Sequence, residues 1–367
     1  MKFTIKRETF LQPLSQVIGV VERRQTLPVL ANFLFQAQAD GKLSITGTDM
    51  EVELIAVVDA SVAREGEVTV PARKLLDIVR MLPDGVDIAV NLEGEKLTVS
   101  SGRSRYTLAT LPATDFPATD QFETIENAEI QEDKIKRLLD KTSFAMANQD
   151  VRYYLNGLLF EFREGALRTV ATDGHRLAVC DLDTSVNLKQ NRQIIVPRKG
   201  VLELSRMLTD SKEMVRLGLG KNHVRLQKGS IALTSKLIDG RFPDYQAVIP
   251  VGTDRRIEVD RGDFTVALQR AAILSNEKYK GVRLELSGKV MKILAHNPQH
   301  EEAVEELEAS LNFEQLAIGF NVLYLLDALN AIEAEKVTME MRDADSSCLI
   351  TAAGGGDDRH VVMPLKL

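Results

Sequence analysis

Apolar residues along this chain alternate between two spacings, and the switch recurs. The segment FTIKRETFLQPLSQVIGVV (3–21) opens with strict alternation and continues with apolar positions at i, i+3 and i+4. Alternation predicts a strand with one buried face; the second spacing predicts an amphipathic helix. EIQEDKIKRLLDKTSFAM (129–146) and IEVDRGDFTVALQRAAIL (257–274) repeat the pair of spacings in the same order. Each is followed by alternating or apolar runs, such as KLSITGTDMEVELIAVV (42–58) and ALRTVATDGHRLAVCDL (166–182), which predict strands joined by turns.

A second strand–helix–strand unit follows each time. TVPARK (69–74) leads into LLDIVRML and VDIAV; IIVPRK (194–199) leads into GVLELSRML and EMVRLGL; LAIGFN (316–321) leads into VLYLLDALNAI and VTMEM. Asp77, Glu203 and Asp327 take equivalent places on these helices. The turn ITGTD ending at Asp49 reappears as VATD ending at Asp173 and as LAHN ending at Asn297, 124 residues apart each time. A fixed period signals a repeat architecture, and this period is domain-sized. The expectation is an α+β chain of three copies of one domain, each copy in two halves: 1–125, 126–252 and 253–367. Loops containing Phe116-Pro117 and Phe242-Pro243 close the first two copies.

Composition narrows the picture. A 44% apolar fraction suits ordinary cores. No apolar run approaches the ~20 residues of a membrane span, and the start, MKFTIKRETFLQ, does not read as a secretory signal. Two cysteines, Cys180 and Cys348, argue against a disulfide framework and fit a reducing cytoplasm, each as a small buried hydrophobe. A net charge of −7 speaks against nucleic acid unless the charge is segregated.

Catalytic and metal chemistry finds little support. There is no GxxxxGK[ST] loop, and Gly354–Gly356 lacks the strand-then-helix context. His296 and His300 have ligand spacing on a helix, but Pro298 between them favours a solvated pair. The expectation is no metal, no cofactor and no enzyme. In Thr172-Asp173-Gly174-His175-Arg176 both an acid–base dyad of Asp173 with His175 and a simple turn fit. The repeat favours the turn, because Asp49 holds the same place with no histidine nearby.

The charge is indeed segregated. Arg73, Lys74 and Arg80, then Arg198, Lys199 and Arg206, make the second helices of copies one and two basic. Both a solvated stripe and a phosphate-facing surface fit this. Copy one carries a basic strand, Arg103-Ser104-Arg105-Tyr106, and copy three an acidic run at Glu301, Glu302, Glu305 and Glu306. Opposite charge at opposite ends suits head-to-tail association, which closes into a ring when the rotation permits. If six half-units from each of two chains line such a ring, helices ~9–10 Å apart leave a hole of roughly 25–28 Å.

PARK after a strand, QDVRYYLNG (149–157), TVATDGHRLAV (169–179), IVPRKG (195–200), SKLIDGRFPDY (235–245), AAILSNEK (271–278) and the terminal VVMPLKL together resemble the bacterial DNA polymerase III β subunit family, the replication sliding clamps. The resemblance runs the full length. It implies a head-to-tail dimer forming a six-domain ring, helices inside and sheets outside. It implies processivity without catalysis: duplex DNA encircled without sequence specificity, a clamp loader that opens the ring, and DNA polymerase III and other clamp-binding-motif proteins tethered to it. By matching motif it assigns DNA contact to Arg24, Arg73, Gln149, Tyr153 and Tyr154, with core packing the alternative for both tyrosines. It assigns a partner-peptide cleft to Leu155, Thr172, Gly174, His175, Arg176, Leu177, Pro243, Val248, Asn321, Tyr324, Val361, Met363, Pro364 and Leu365. The dimer interface falls on Arg103, Arg105, Tyr106, Leu108, Ile273, Leu274, Glu301, Glu302, Glu305 and Glu306. Two departures stand out: Gln246 and Ala247 follow FPDY where the family often has arginines, and Gln299 stands where a carboxylate is common.

Overall fold

The computed structural model describes all residues except 23–26, 118–122, 185–190 and 367. Its elements follow the repeat. Copy one runs β1 (Lys2–Lys6), α1 (Arg7–Val17), β2 (Asn32–Ala37), β3 (Lys42–Thr48), β4 (Val52–Asp59), β5 (Ser61–Arg64), β6 (Gly66–Pro71), α2 (Ala72–Met81), β7 (Asp87–Glu93), β8 (Lys96–Ser101) and β9 (Ser104–Ala109). Copy two runs β10 (Glu126–Gln131), α3 (Glu132–Thr142), β11 (Gly157–Arg163), β12 (Ala166–Thr172), β13 (Arg176–Asp183), β14 (Arg192–Pro197), α4 (Arg198–Met207), β15 (Met214–Leu219), β16 (His223–Lys228) and β17 (Ile231–Lys236). Copy three runs β18 (Arg255–Asp260), α5 (Arg261–Ala272), β19 (Gly281–Ser287), β20 (Val290–His296), β21 (Glu302–Leu311), β22 (Gln315–Asn321), α6 (Val322–Ala331), β23 (Lys336–Met341), β24 (Cys348–Ala352) and β25 (Asp358–Val362). Among the described residues β5, which pairs with β1, has no separate strand as counterpart; in copy three residues 309–311 of β21 pair with β18 in its place.

The two spacings act as expected. Residues of β1 alternate exposed and buried. On α2, Ala72, Leu75, Leu76 and Val79 are buried, which is one helical face. Asp260 and Asn321 cap α5 and α6 by accepting from Asp263 N and Leu323 N. Pro13 sits inside α1 and supplies no backbone donor there, yet it is buried on the core face.

Contact density divides the chain into two compact units, residues 1–133 with 199–237 and residues 134–198 with 238–367. The cut falls inside copy two because sheets run on from one copy into the next. In the first unit, β4 of copy one pairs antiparallel with β17 of copy two. In the second, β13 of copy two pairs antiparallel with β25 of copy three. The first unit therefore holds a five-stranded sheet, β5-β1-β7-β8-β9, and an eight-stranded one, β10-β15-β16-β17-β4-β3-β2-β6. The second holds a twelve-stranded sheet, β14-β11-β12-β13-β25-β24-β23-β18-β21-β20-β19-β22.

The two junctions share one register. Val52 lies opposite Ser235 at the first and Arg176 opposite Val362 at the second. Their flanking bonds match as well. Lys236 N donates to Glu51 O and Val57 N to Ser230 O; Met363 N donates to His175 O and Asp181 N to Asp357 O.

Candidate functional site

The apolar floor of the expected cleft is assembled by the face of the β11–β12–β13–β25 portion of the second unit's sheet. Leu155, Leu177 and Val361 join one buried cluster with Leu159, Val170, Phe242 and Tyr245, and Tyr154 packs against its edge. Leu177 is directly opposite Val361, and Leu159 opposite Val170, so the cluster is two adjacent rows of the sheet. Its outer residues stay accessible: Val248 is 45% and Met363 44% exposed, and Pro243 is exposed too.

The rim is polar and tightly bonded. Asp173 Oδ1 accepts from His175 N at 2.9 Å and Arg176 N at 3.0 Å, and Thr172 Oγ1 accepts from Gly174 N and donates to Arg176 O. Gly174 has φ of 88°, and an added Cβ would stand 2.8 Å from Arg152, so glycine is required there. The segment is thus a turn, and the Asp173 carboxylate is occupied by Arg176, whose Nε lies 3.1 Å from Oδ2. The Arg176 guanidinium also reaches Asp327 and Phe144 O, and stacks over the Tyr324 ring at 4.6 Å. His175 lies parallel to Tyr324 at 6.4 Å between ring centres, and burial pushes the Tyr324 phenol above its usual range. Asn321 caps the helix that carries Tyr324, and Leu365 N donates to Gly319 O, which ties the terminal Met363-Pro364-Leu365 segment back to β22.

The residues expected to touch DNA divide. Arg24 lies outside the described residues. Arg73 is exposed and donates to Val21 O at 3.2 Å. Gln149 is exposed with φ of 58°. Tyr153 is 56% exposed and meets Tyr154 edge-on at 5.6 Å, whereas Tyr154 is half-buried against the cleft cluster. Core packing therefore describes Tyr154 and not Tyr153.

The residues expected at a dimer interface sit as follows. β9 ends the five-stranded sheet, with Arg103 and Arg105 exposed and Leu108 buried against its own sheet. β21 pairs with β18 only through residues 309–311, so among the described residues 302–308 have no strand on that side. A cavity of about 770 Å³ lies beside the gap, lined by Asp263, Arg270, Lys289 and Glu308 among others. Ile273 is 78% exposed and Leu274 half-buried. The acidic run is already partly neutralised within the chain. Arg270 makes a two-pronged bond to Glu305 at 2.9 and 2.6 Å, Lys292 sits 2.7 Å from Glu306, and Asn297 bonds Glu301. Glu302 stays exposed.

Models of the DNA polymerase III beta subunit N-terminal, central and C-terminal domains match residues 1–120, 129–244 and 246–366. The chain belongs to the DNA polymerase III beta subunit family. It is 52% identical to the Beta sliding clamp of Pseudomonas aeruginosa and 50% identical to that of Escherichia coli K12, with full coverage of both chains in each comparison. A crystal structure of the P. aeruginosa subunit superposes over the full length of both chains with a TM-score of 0.95, and a solved structure of Caulobacter crescentus pol III beta, at 37% identity, with 0.93. Another P. aeruginosa structure, also matched at 0.95, is bound to griselimycin. The chain is a replicative processivity clamp acting with DNA and polymerase, and it is not an enzyme.

Among the described residues no group of three or more metal-ligand side chains occurs, and no helix is long and apolar enough to cross a membrane. Both cysteines are fully buried, and burial pushes the Cys180 thiol up to about 12. Sequence reasoning missed Arg152, Phe144 and Tyr245. Arg152 holds the Asp150 carboxyl down to about 2 and donates to Asp173 O. Its place in QDVRYYLNG, among residues singled out on both sides, was the available signal.

Proposed function

We propose that two copies of this chain close head to tail into a ring around duplex DNA. One observation carries this reading: a single strand-pairing register serves both junctions inside the chain, and of the two strands that would form a third, β9 ends its sheet and residues 302–308 of β21 have no described strand on one side. β4 and β13 stand third from the first helix of their copies, as β21 does; β17 and β25 end their copies, as β9 does. Copy three has one extra residue in its turn, since Asn297 N donates to Glu301 O where Asp49 N donates to Val52 O. Carrying the register over sets Leu108 opposite the partner's Glu301, Tyr106 opposite the partner's Ala303 and Ser104 opposite the partner's Glu305. Ala109 N then donates to the partner's His300, and Glu306 N to the partner's Arg103. The basic β9 meets the acidic β21, and Ile273 and Leu274 are covered.

In this reading the three domains are 1–125, 126–252 and 253–367. Arg24, Arg73, Gln149 and Tyr153 touch the sugar–phosphate backbone, which carries no sequence information and so permits sliding. The cleft around Leu155, Leu177 and Val361 takes short peptides from DNA polymerase III, a clamp loader and other partners in the cytoplasm, and takes griselimycin as well. An apolar floor with a few oriented polar groups suits such ligands.

Solution mass and DNA retention test the ring. The expected results are a species of two chains, and retention on nicked circular duplex that is lost when the circle is cut. A single-chain mass, or equal retention on both forms, overturns it.

A further inference from the structure

A row of polar side chains crosses the sheet one step below the apolar rows of the cleft. Gln193, Glu161, Arg168 and Asp181 stand directly opposite one another on β14, β11, β12 and β13. They lie two residues from Ile195, Leu159, Val170 and Val179, so they share the face that forms the cleft floor. Gln193 donates to Glu161 at 2.7 Å; Arg168 grips Asp181 at 2.5 and 3.1 Å; Arg359 from β25 reaches the same carboxylate at 2.5 Å.

Tyr245 joins the two layers. Its ring is 5% exposed within the apolar cluster. Its hydroxyl donates to Glu161 at 2.8 Å and accepts from Arg168 at 3.0 Å. Burial pushes the Glu161 carboxyl up, but bonds from Gln193, Tyr245 and Arg163 outweigh it and hold the group below its usual range, so it remains a charged acceptor. Tyr245 opens the single turn Tyr245–Val248, on the loop that carries both Pro243 and Val248.

The other copies serve as internal comparisons. The matching row in copy one is Gln36, Ser44, Val57 and Glu67, with a Gln36–Glu67 bond of 3.2 Å and no cation. Copy three has Glu285, Lys292 and Glu306 in register, with Lys292 and Glu306 paired at 2.7 Å. Neither has a tyrosine after its closing Phe-Pro or Met-Pro. The complete device occurs in the copy that carries the cleft.

We propose that Tyr245, locked by Arg168 and Glu161, is a positioning residue that sets the Pro243–Val248 wall of the cleft, and that Asp181 ties this lock to β25 through Arg359. The inference rests on the peptide-cleft reading above. The test uses the full chain, griselimycin as probe and calorimetric affinity as readout, with Val248→Asp as a control on the site. Tyr245→Phe and Arg168→Met should each weaken binding roughly five- to tenfold, and the double variant no more than the worse single, because both remove one shared bond. A merely structural contribution would lower thermal stability without this coupling in affinity. Wild-type affinity in both single variants, or additive losses in the double, overturns the positioning role while a loss in Val248→Asp keeps the cleft. Undiminished binding to Val248→Asp overturns the cleft reading and this inference with it.

Discussion

Arg176 Nη1 lies 2.5 Å from Asp327 Oδ2, joining a turn of copy two to a helix of copy three across 151 positions. The same guanidinium holds Asp173 and Phe144 O and lies over Tyr324, so one planar group fixes a hairpin turn, a carbonyl and an aromatic wall. Lysine cannot reproduce this, since it offers a point charge in place of a fork. Arg176→Lys should therefore cost the second unit about 2–3 kcal/mol, measured by denaturant unfolding, because Asp327 and Phe144 O lose their partner. Griselimycin affinity should fall alongside it.

Glu203 gives a pH dependence. Burial pushes its carboxyl above the usual range, against the pull of Arg206 and Lys199. The folded chain thus keeps this proton where the unfolded chain has released it. Its contribution is fully present below the unfolded value and is lost as pH rises through the folded one. Glu203→Gln should flatten that decline, so its melting temperature should gain on the wild type as pH climbs from 4 to 8. Parallel profiles would remove the assignment.

The open edge of β9 can be blocked without altering charge. Ala109→Pro deletes the N–H matching those Lys236 and Met363 give at the two internal junctions. Sedimentation should show single chains with unchanged helix and strand content. Reversing Glu305 and Glu306 to lysine should weaken association in a salt-dependent way. It also frees Arg270 and Lys292 from their present partners.

Arg73→Ala should weaken DNA binding equally across sequences and lower the salt slope by about one, as expected for a single phosphate contact. Tyr153→Ala should weaken binding further, whereas Tyr154→Ala should chiefly reduce stability, because that ring packs on the buried cluster. Filter binding at several salt concentrations separates the two.

Cys180 and Cys348 should resist thiol reagents in the folded chain at pH 8, since burial raises both thiols and the thiolate is the reactive form. Reaction should begin only with unfolding. Prompt labelling of either would contradict the burial.

Much of the fold was legible because apolar spacing reports which face of an element is buried. The strand–helix–strand order followed from it, and the turns at Asp49 and Asp173 followed from the repeated motif. Relations across strands were not legible. Nothing in the spacing says that Arg168 faces Asp181 or that Tyr245 reaches both Arg168 and Glu161, because register is set by turn geometry and pairing partners. Leu108, expected at an interface, also packs into its own sheet, and Glu305, expected to pair across an interface, is already held within the chain by Arg270. In both cases a local neighbour competes for a side chain that the sequence shows only as apolar or charged.

The short pairing of β21 with β18 has a further effect, on which encounters fail. Two β21 strands meeting antiparallel would bring Glu302 and Glu308 against their own kind, beside Glu305 and Glu306 with their Arg270 and Lys292 partners, and two β9 strands would do the same with Arg105 and the adjacent Arg103. Like charges directly opposite in a ladder repel. In the proposed ring each exposed strand thus rejects its own copy and accepts the other, so the charges that would steer assembly would also keep single chains from stacking into aggregates.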